Sequence, residues 1–357
     1  MSESKRCIIT GASGQDALLL SEYLIEEHNY EVWAMARRVA RPQSRHVNSL
    51  LEKYPNNYNL VNGDITDITS ILRVLELSNP HEFYNLAAQS HVGISFKEPL
   101  ATYDITQMGA INCIEAVRSY NPFIKVYQAS SSEMFGGTRT TGSRDFTIGD
   151  DVGHLQLATI DENTALHPMS PYGVAKTGAH NHARICRDAY GMHISCGILF
   201  NHESELRKPN FVTRKVTAYV ASLLNKGVCW KPTEDEKLKL GCLDFARDWG
   251  CAKDYVRGMY LMLQQDEPGD YVLATGEVKT GPDLLDAAFS HLGLDWQDYV
   301  TLDPEFERPS DVKVLVGDAS LAEEKLGWKP TRLFNQLIAD MVKNDIIIYQ
   351  RLGTIDE

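Results

Sequence analysis

A chain of 357 residues, 43% hydrophobic and 23% charged, has ordinary globular composition and is long enough for one large domain or two joined ones. Its net charge of −13 excludes a broad nucleic-acid-binding surface, which needs an excess of Lys and Arg, but not an anionic small molecule held by a few local cations. The seven cysteines, at 7, 113, 186, 196, 229, 242 and 251, never form a C-x-x-C pair, so they read as free thiols of a reducing compartment and no metal is expected.

Taken in chain order, the start "MSESKR" runs straight into a strand with no secretory pattern, and no apolar run reaches membrane-spanning length. A cytoplasmic protein without a membrane partner is the expectation. Strands are predicted at 7–10, 31–36, 58–62, 82–86, 124–129 and 194–200. Helices alternate with them at 16–28, 70–78, 108–120 and 172–190. Short connections between such units predict an α/β fold, a Rossmann-type doubly wound parallel sheet whose ligands bind beyond the carboxyl ends of the strands. After Asn201 the pattern mixes, with helices near 214–226, 252–265, 281–292 and 333–349, as expected of a smaller C-terminal α+β substrate domain. The division expected is 1–201 with roughly 245–275 for a dinucleotide, and 202–244 with 276–357 for the substrate. Two stretches interrupt the pattern: 136–161, rich in Gly, Thr and Asp, and 231–240, a charged loop or short hairpin.

The motifs sit at the strand tips. In "IITGASGQDALLL" Gly11 and Gly14 follow the first strand and open the first helix, where glycine lets the backbone approach a pyrophosphate and the helix N-terminus faces the negative charge. Ala17 takes the third glycine position. After the second strand, where NAD would meet an acidic residue, the chain has Arg37 and Arg38; two guanidiniums suit a 2′-phosphate, so NADP is favoured over NAD, the competing reading being a solvated basic turn. Asp64 of "NGDITD" and the run 85–90, "NLAAQS", would flank adenine and ribose.

In "SPYGVAK" Tyr172 and Lys176 lie four apart on one helix face, where an ammonium favours phenolate and the phenol can serve as a base. Ser131, at a strand tip, would bond the same substrate oxygen. In "QASSSEMFG" Glu133 follows the serines, either as a turn cap in water or as a group that moves a proton.

Phosphate loop, serine tip and Tyr-Lys pair together form the pattern of extended short-chain dehydrogenases/reductases. "TGASGQDALLLSEYL", "YNLAAQSHVGISF", "YQASSSEMFG", "SPYGVAK", "GILFNHES", "NFVTRK", "RDWGCAKDYV", "ATGEV", "RPSDV" and "LGWKP" resemble, in that order and over nearly the whole chain, the GDP-mannose 4,6-dehydratase family. The resemblance implies oxidation of hexose C4 with NADP, loss of water across C5 and C6, and hydride return to C6. It implies Tyr172 as the base at the C4 hydroxyl, Lys176 as its support, Ser131 on O4, and Glu133 at the C5 proton and the departing C6 hydroxyl. An epimerase needs no such acid at 133.

The expected cofactor contacts are Gly11, Ser13, Gly14, Gln15, Asp16, Arg37, Arg38, Asp64, Ile65, Leu86, Ala87, Ala88, Gln89, Tyr103, Tyr172, Lys176, Leu199, His202 and Arg207. Ser90, Ser132, Asn201, Asn210, Val212, Lys215, Arg247, Arg308 and Asp311 are expected at the GDP-sugar. Arg214 and Asp248 have a structural alternative, pairing within their domain. Ser131 stands where the family usually has threonine, and Ala17 and Ala246 replace residues that are commonly Gly and Lys. The stretch 136–161 is longer than the family's usual connection, a lid or an allowance for a larger sugar, which leaves the sugar on GDP open. The alternatives are a GDP-sugar 4-epimerase or 4-reductase, and a non-catalytic NADP-sensing protein. A homodimer or homotetramer is implied, with Ser44 and Arg45 reaching a neighbour's cofactor.

Overall fold

The computed structural model describes residues 4–37, 44–136, 159–224, 226, 230–306, 310, 312 and 314–353. Its main sheet has seven strands: β1 (Arg6–Thr10), β2 (Glu31–Ala36), β3 (Tyr58–Asn62), β4 (Glu82–Asn85), β5 (Lys125–Ser131), β6 (Ile194–Leu199) and β7 (Asp270–Leu273). They lie in the order β7-β6-β5-β4-β1-β2-β3, every neighbouring pair parallel. The order reverses between β1 and β4, so the crevice of a doubly wound sheet opens above Thr10 and Asn85.

Alternate strand residues supply two cores, because successive side chains leave a strand on opposite faces. Cys7 and Ile9 join Val32, Ala34 and Tyr127 under helices Gln15–His28 and Ala252–Gln264. Ile8 joins Phe83, Val126 and Ile194 under helices Ile68–Ser78, Gly109–Tyr120 and Pro171–Tyr190. At the strand tips, the buried Thr10 hydroxyl donates to Asn85 Oδ1 at 2.8 Å and accepts from the Leu86 and Ala87 N–H groups at 3.0 and 2.9 Å. The backbone leaving β4 is thereby fixed over β1.

The C-terminal part has its own core, in which Val216, Val220, Leu285, Phe289, Leu337 and Met341 bring helices Val212–Leu223, Gly281–Phe289 and Phe334–Leu352 together. Leu238–Leu240 pairs with Val300–Leu302, so the charged 231–240 stretch ends as one strand of a two-stranded sheet. A four-stranded sheet runs Lys279–Thr280, Ala246–Arg247, Val314–Gly317, Thr159–Ile160. Its last strand pins the end of the 136–161 stretch, of which 137–158 lie outside the described residues. Arg214 pairs with Asp345, Nη2 to Oδ1 at 2.8 Å, and not with Asp248. The Asp248 carboxylate instead accepts from Thr275, Gly276 and Gly317 backbone N–H groups and the Thr275 hydroxyl. Among the described residues six cysteines are free and no helix is long and apolar enough to cross a membrane.

Candidate active site

A cleft of about 1530 Å³ runs over the carboxyl ends of the strands, walled on its far side by the C-terminal part. That is larger than the usual small-ligand pocket of about 300–1,000 Å³ and suits two nucleotide-sized ligands.

At one end the chain leaves β1 through Gly11 at φ +78°, a conformation open to glycine. A Cβ there would lie 3.1 Å from the Ala87 Cα. Helix Gln15–His28 begins after Gly14, which has no side chain to cap it, so its first N–H groups stand open to an anion. This cradle fits the pyrophosphate of a dinucleotide. Asp16 Oδ2 lies 3.0 Å from His202 Nε2, while His202 Nδ1 lies 2.7 Å from the Phe200 carbonyl. Gln15 bridges the same elements, donating to the His202 carbonyl and accepting from the Ser204 hydroxyl. Burial alone would raise the Asp16 carboxyl, but His202, Gln15 and Arg207 outweigh it and hold it at about 2. Burial opposes charge on His202 too, yet Asp16 raises its pKa above the ordinary value.

Arg37 is exposed beyond β2 and lines both the cleft and an adjoining recess of about 350 Å³ that it shares with Asp64, Asp67, Ser70 and Arg73. Asp64 spends one carboxylate oxygen on the Thr66 N–H and hydroxyl, holding the turn after β3. Ile65, Leu86, Ala87 and Ala88 also line the cleft. Gln89 and Tyr103 stand off its lining: Gln89 folds back on the His91 backbone, and Tyr103 begins the π-helical turn Tyr103–Met108. Arg38, Arg308 and Asp311 lie outside the described residues.

The middle of the cleft holds the four proposed catalytic side chains. Ser131 ends β5 and caps the short helix Ser132–Phe135, its Oγ accepting from the Glu133 N–H at 3.2 Å. Ser170 caps helix Pro171–Tyr190 by accepting from the Gly173 N–H at 3.0 Å, with Pro171 pre-set for the first turn. Tyr172 and Lys176 follow on the same face, both buried. Lys176 Nζ donates to the Ala129 carbonyl at 2.8 Å and stands 5.8 Å from the Tyr172 ring centroid. Burial lowers the Lys176 ammonium to about 8. Burial likewise pushes the Tyr172 phenol up to about 12, with the Glu133 charge adding to it while a hydrogen bond with Ser131 and the Arg207 charge pull it down. Glu133 is half-buried and lines the same cleft as Tyr172, close enough for its charge to act on the phenol.

Of the expected substrate contacts, Ser90, Ser132, Asn201, Asn210, Val212, Lys215 and Arg247 line the cleft, as do Ser13, Leu199 and Arg207 of the cofactor set. Lys215 Nζ is anchored on the Lys239 carbonyl at 2.7 Å and lies 4.1 Å from the Phe306 ring centroid. Arg247 is buried on its strand, its guanidinium 5.6 Å from the Phe245 ring. Sequence reasoning missed His91 and Phe211, which also line the cleft, their rings 5.6 Å apart, with the Arg207 guanidinium 3.6 Å over Phe211. The aromatic beside Asn210 in "PNFVTRK" was the available signal.

The sequence model of the family described as GDP-mannose 4,6 dehydratase matches residues 8–148 and 150–341. The chain is 42% identical over 356 residues to GDP-mannose 4,6 dehydratase 1 of Arabidopsis thaliana, covering 97% of this chain and 91% of that one. It is 37% identical over 369 residues to the GDP-mannose 4,6-dehydratase of Sinorhizobium fredii (strain HH103), covering 97% and 98%. Among solved structures, the dTDP-glucose 4,6-dehydratase of Bacillus anthracis in complex with NAD superposes with a TM-score of 0.77 at 21% identity over 98% of both chains, which speaks for the fold alone. With a family model spanning nearly its whole length and relatives this similar from end to end, the chain belongs to the GDP-mannose 4,6 dehydratase family.

Proposed function

We propose that the cleft converts GDP-mannose to its 4-keto-6-deoxy derivative with loss of water. The observation that carries this reading is the Glu133 carboxylate, which shares a cleft with Tyr172 and is near enough to perturb it. An oxidation or an epimerisation at C4 needs only the phenol; a carboxylate beside it allows elimination. A nicotinamide dinucleotide, when bound on the Gly11–Asp16 cradle, would accept the hydride from C4 and later return it to C6.

Burial alone keeps the Tyr172 phenol protonated. Lys176, fixed on the Ala129 carbonyl, together with the positive charge that a bound oxidised nicotinamide would add, favours the phenolate, which takes the C4 hydroxyl proton while Ser131 bonds the same oxygen. The C4 carbonyl acidifies C5. Glu133 removes the C5 proton and delivers a proton to the C6 hydroxyl, which leaves as water. The proton held by Tyr172 balances the reprotonation of C5, so the net change is one water lost. A positioned acid–base group of this kind contributes about 10²–10⁴-fold.

Asn201, Asn210, Val212, Lys215 and Arg247 would hold the GDP portion, with the buried guanidinium of Arg247 suited to diphosphate oxygens. NADP is the dinucleotide favoured by Arg37, and Arg73 in the neighbouring recess supports the same choice. The reading extends to a homodimer or homotetramer. Ser44 and Arg45 would be its contacts to a neighbour's cofactor; Ser44 caps helix Arg45–Lys53, its Oγ accepting from the Val47 N–H at 3.4 Å.

Incubation with GDP-mannose and NADP⁺, repeated with NAD⁺, tests the reading. A 4-keto-6-deoxy product should appear by NMR without accumulation of reduced nicotinamide. Glu133→Gln should still generate reduced nicotinamide within a single turnover but release no water. Normal turnover of that variant would transfer the C5 chemistry to another group.

A further inference from the structure

Outside the cleft, helix Gly109–Tyr120 crosses helix Pro171–Tyr190 at a cluster of three metal-binding side chains. His182 and Cys186 are four apart on the second helix and share one of its faces, and Glu115 meets them from the first. His182 Nε2 lies 3.2 Å from Glu115 Oε1, Cys186 Sγ 3.5 Å from His182 Nε2, and Cys186 Sγ 3.6 Å from Glu115 Oε1. Around a tetrahedral zinc, with Zn–S of about 2.3 Å and Zn–N and Zn–O of about 2.0–2.1 Å, ligand atoms stand about 3.3–3.6 Å apart. The three separations therefore already describe one face of that tetrahedron.

The surroundings suit an ion. Arg118 binds the other carboxylate oxygen, Nη2 to Oε2 at 2.6 Å, and its guanidinium rests 4.6 Å over the Tyr190 ring. It orients the carboxylate from behind and leaves Oε1 to face His182 and Cys186, as an outer hydrogen-bond partner does at metal sites. Cys186 is buried, whereas the Glu115 and His182 side chains are 26% and 25% exposed, so the fourth side opens to water. A second such cluster among the described residues, His180, Cys196 and Asp270, is differently committed: Arg187 takes both Asp270 oxygens, and Ser130 engages His180 Nδ1.

We propose that Glu115, His182 and Cys186 bind one zinc ion per chain, with water as the fourth ligand, and that the ion staples the two helices together. On binding, a sulfur–metal bond forms, the Cys186 S–H bond breaks, and its proton passes to solvent. The site lies about two to three helical turns beyond Lys176, so the ion adds to the stability of the helix pair without touching substrate or the reacting groups. It stands independently of the dehydratase reading.

The test uses the full chain with dinucleotide bound, reduced and treated with a chelator, then titrated with Co²⁺. A sulfur-to-cobalt charge-transfer band and tetrahedral d–d absorption should saturate at one equivalent and vanish when Zn²⁺ is added. Cys186→Ser should abolish the charge-transfer band while leaving dehydratase turnover unchanged, and Cys242→Ser, which removes an exposed thiol, should change neither. Arg118→Gln should weaken Co²⁺ binding by about 10–100-fold. Zn²⁺ should raise the melting temperature of the parent protein but not of His182→Gln. The proposal is overturned by the absence of a charge-transfer band, by its persistence in Cys186→Ser, or by its loss in Cys242→Ser. Should Cys186→Ser fail to fold, undiminished cobalt affinity in His182→Gln overturns it equally.

Discussion

A methyl group added at Gly173 would lie 2.6 Å from the Glu133 carbonyl oxygen, so the start of the Pro171–Tyr190 helix meets the Ser132–Phe135 turn backbone to backbone. In the proposed reaction that contact sets the Glu133 carboxylate and the Tyr172 phenol at a fixed separation, and a misplacement of about 1 Å at a reacting centre costs about 10²-fold. Gly173→Ala should therefore lower kcat by about that factor while destabilising the fold by about 1–3 kcal/mol, the usual cost of overpacking. Steady-state kinetics beside thermal unfolding would check it; a full loss of stability with kcat intact in the folded fraction would refute the positioning role. Tyr172, Lys176 and Glu133 were legible because each stands in a short motif at a strand tip or helix start. The need for glycine at 173 was not, since the neighbour that forbids a side chain there comes from a separate segment.

At the scale of elements, the first helix is tied to the strand Asn201–Glu203 through the Asp16–His202 pair. The Asp16 pKa is depressed in the fold from 3.8 to about 2, so its contribution is present above 3.8 and is lost as pH falls through about 2. The His202 pKa is raised above 6.5, so its contribution is full below 6.5 and is lost as pH rises through the folded value. The melting-temperature gap between the parent protein and Asp16→Asn should accordingly be widest between pH 3.8 and 6.5 and narrow on either side. A gap that stays constant from acid to alkali would show that the pair carries no such charge. Six of the seven sheet strands were legible as buried apolar runs between turn residues. The seventh, "DYVL", is too short to display a period, and β6 alone gives it a place at the sheet edge. The run from Val92 to Met108 resisted reading for another reason: Pro99 splits it, and its last turn is π-helical, a geometry without a sequence period.

Across the whole molecule, the C-terminal part is locked by a buried ion pair between helices far apart in sequence. Asp345 is fully buried, and burial pushes its carboxyl up to about 6 even with Arg214 2.8 Å away and the Thr217 hydroxyl donating at 2.6 Å. Arg214→Met would strand that carboxylate and should destabilise the protein by about 3–5 kcal/mol, measured by denaturant unfolding. The double variant Arg214→Met/Asp345→Leu should recover much of the loss, and a double variant no better than the single one would contradict the pairing. The sequence offered Asp248 as a partner for Arg214 within the domain; only the folded chain brings position 345 to this helix. Likewise the cleft residues of the Gly-rich loop were readable, whereas the wall built by Phe211, Phe245 and Phe306 arises from three separate segments that carry no shared signature.

The backbone contact at Gly173 keeps Tyr172 and Glu133 together on the sheet side of the cleft, while the opposite wall belongs to a separately packed core. If the proposed roles hold, evolution and design have two independent dials: side chains on that far wall could be exchanged to admit a different sugar nucleotide without retuning the reaction itself.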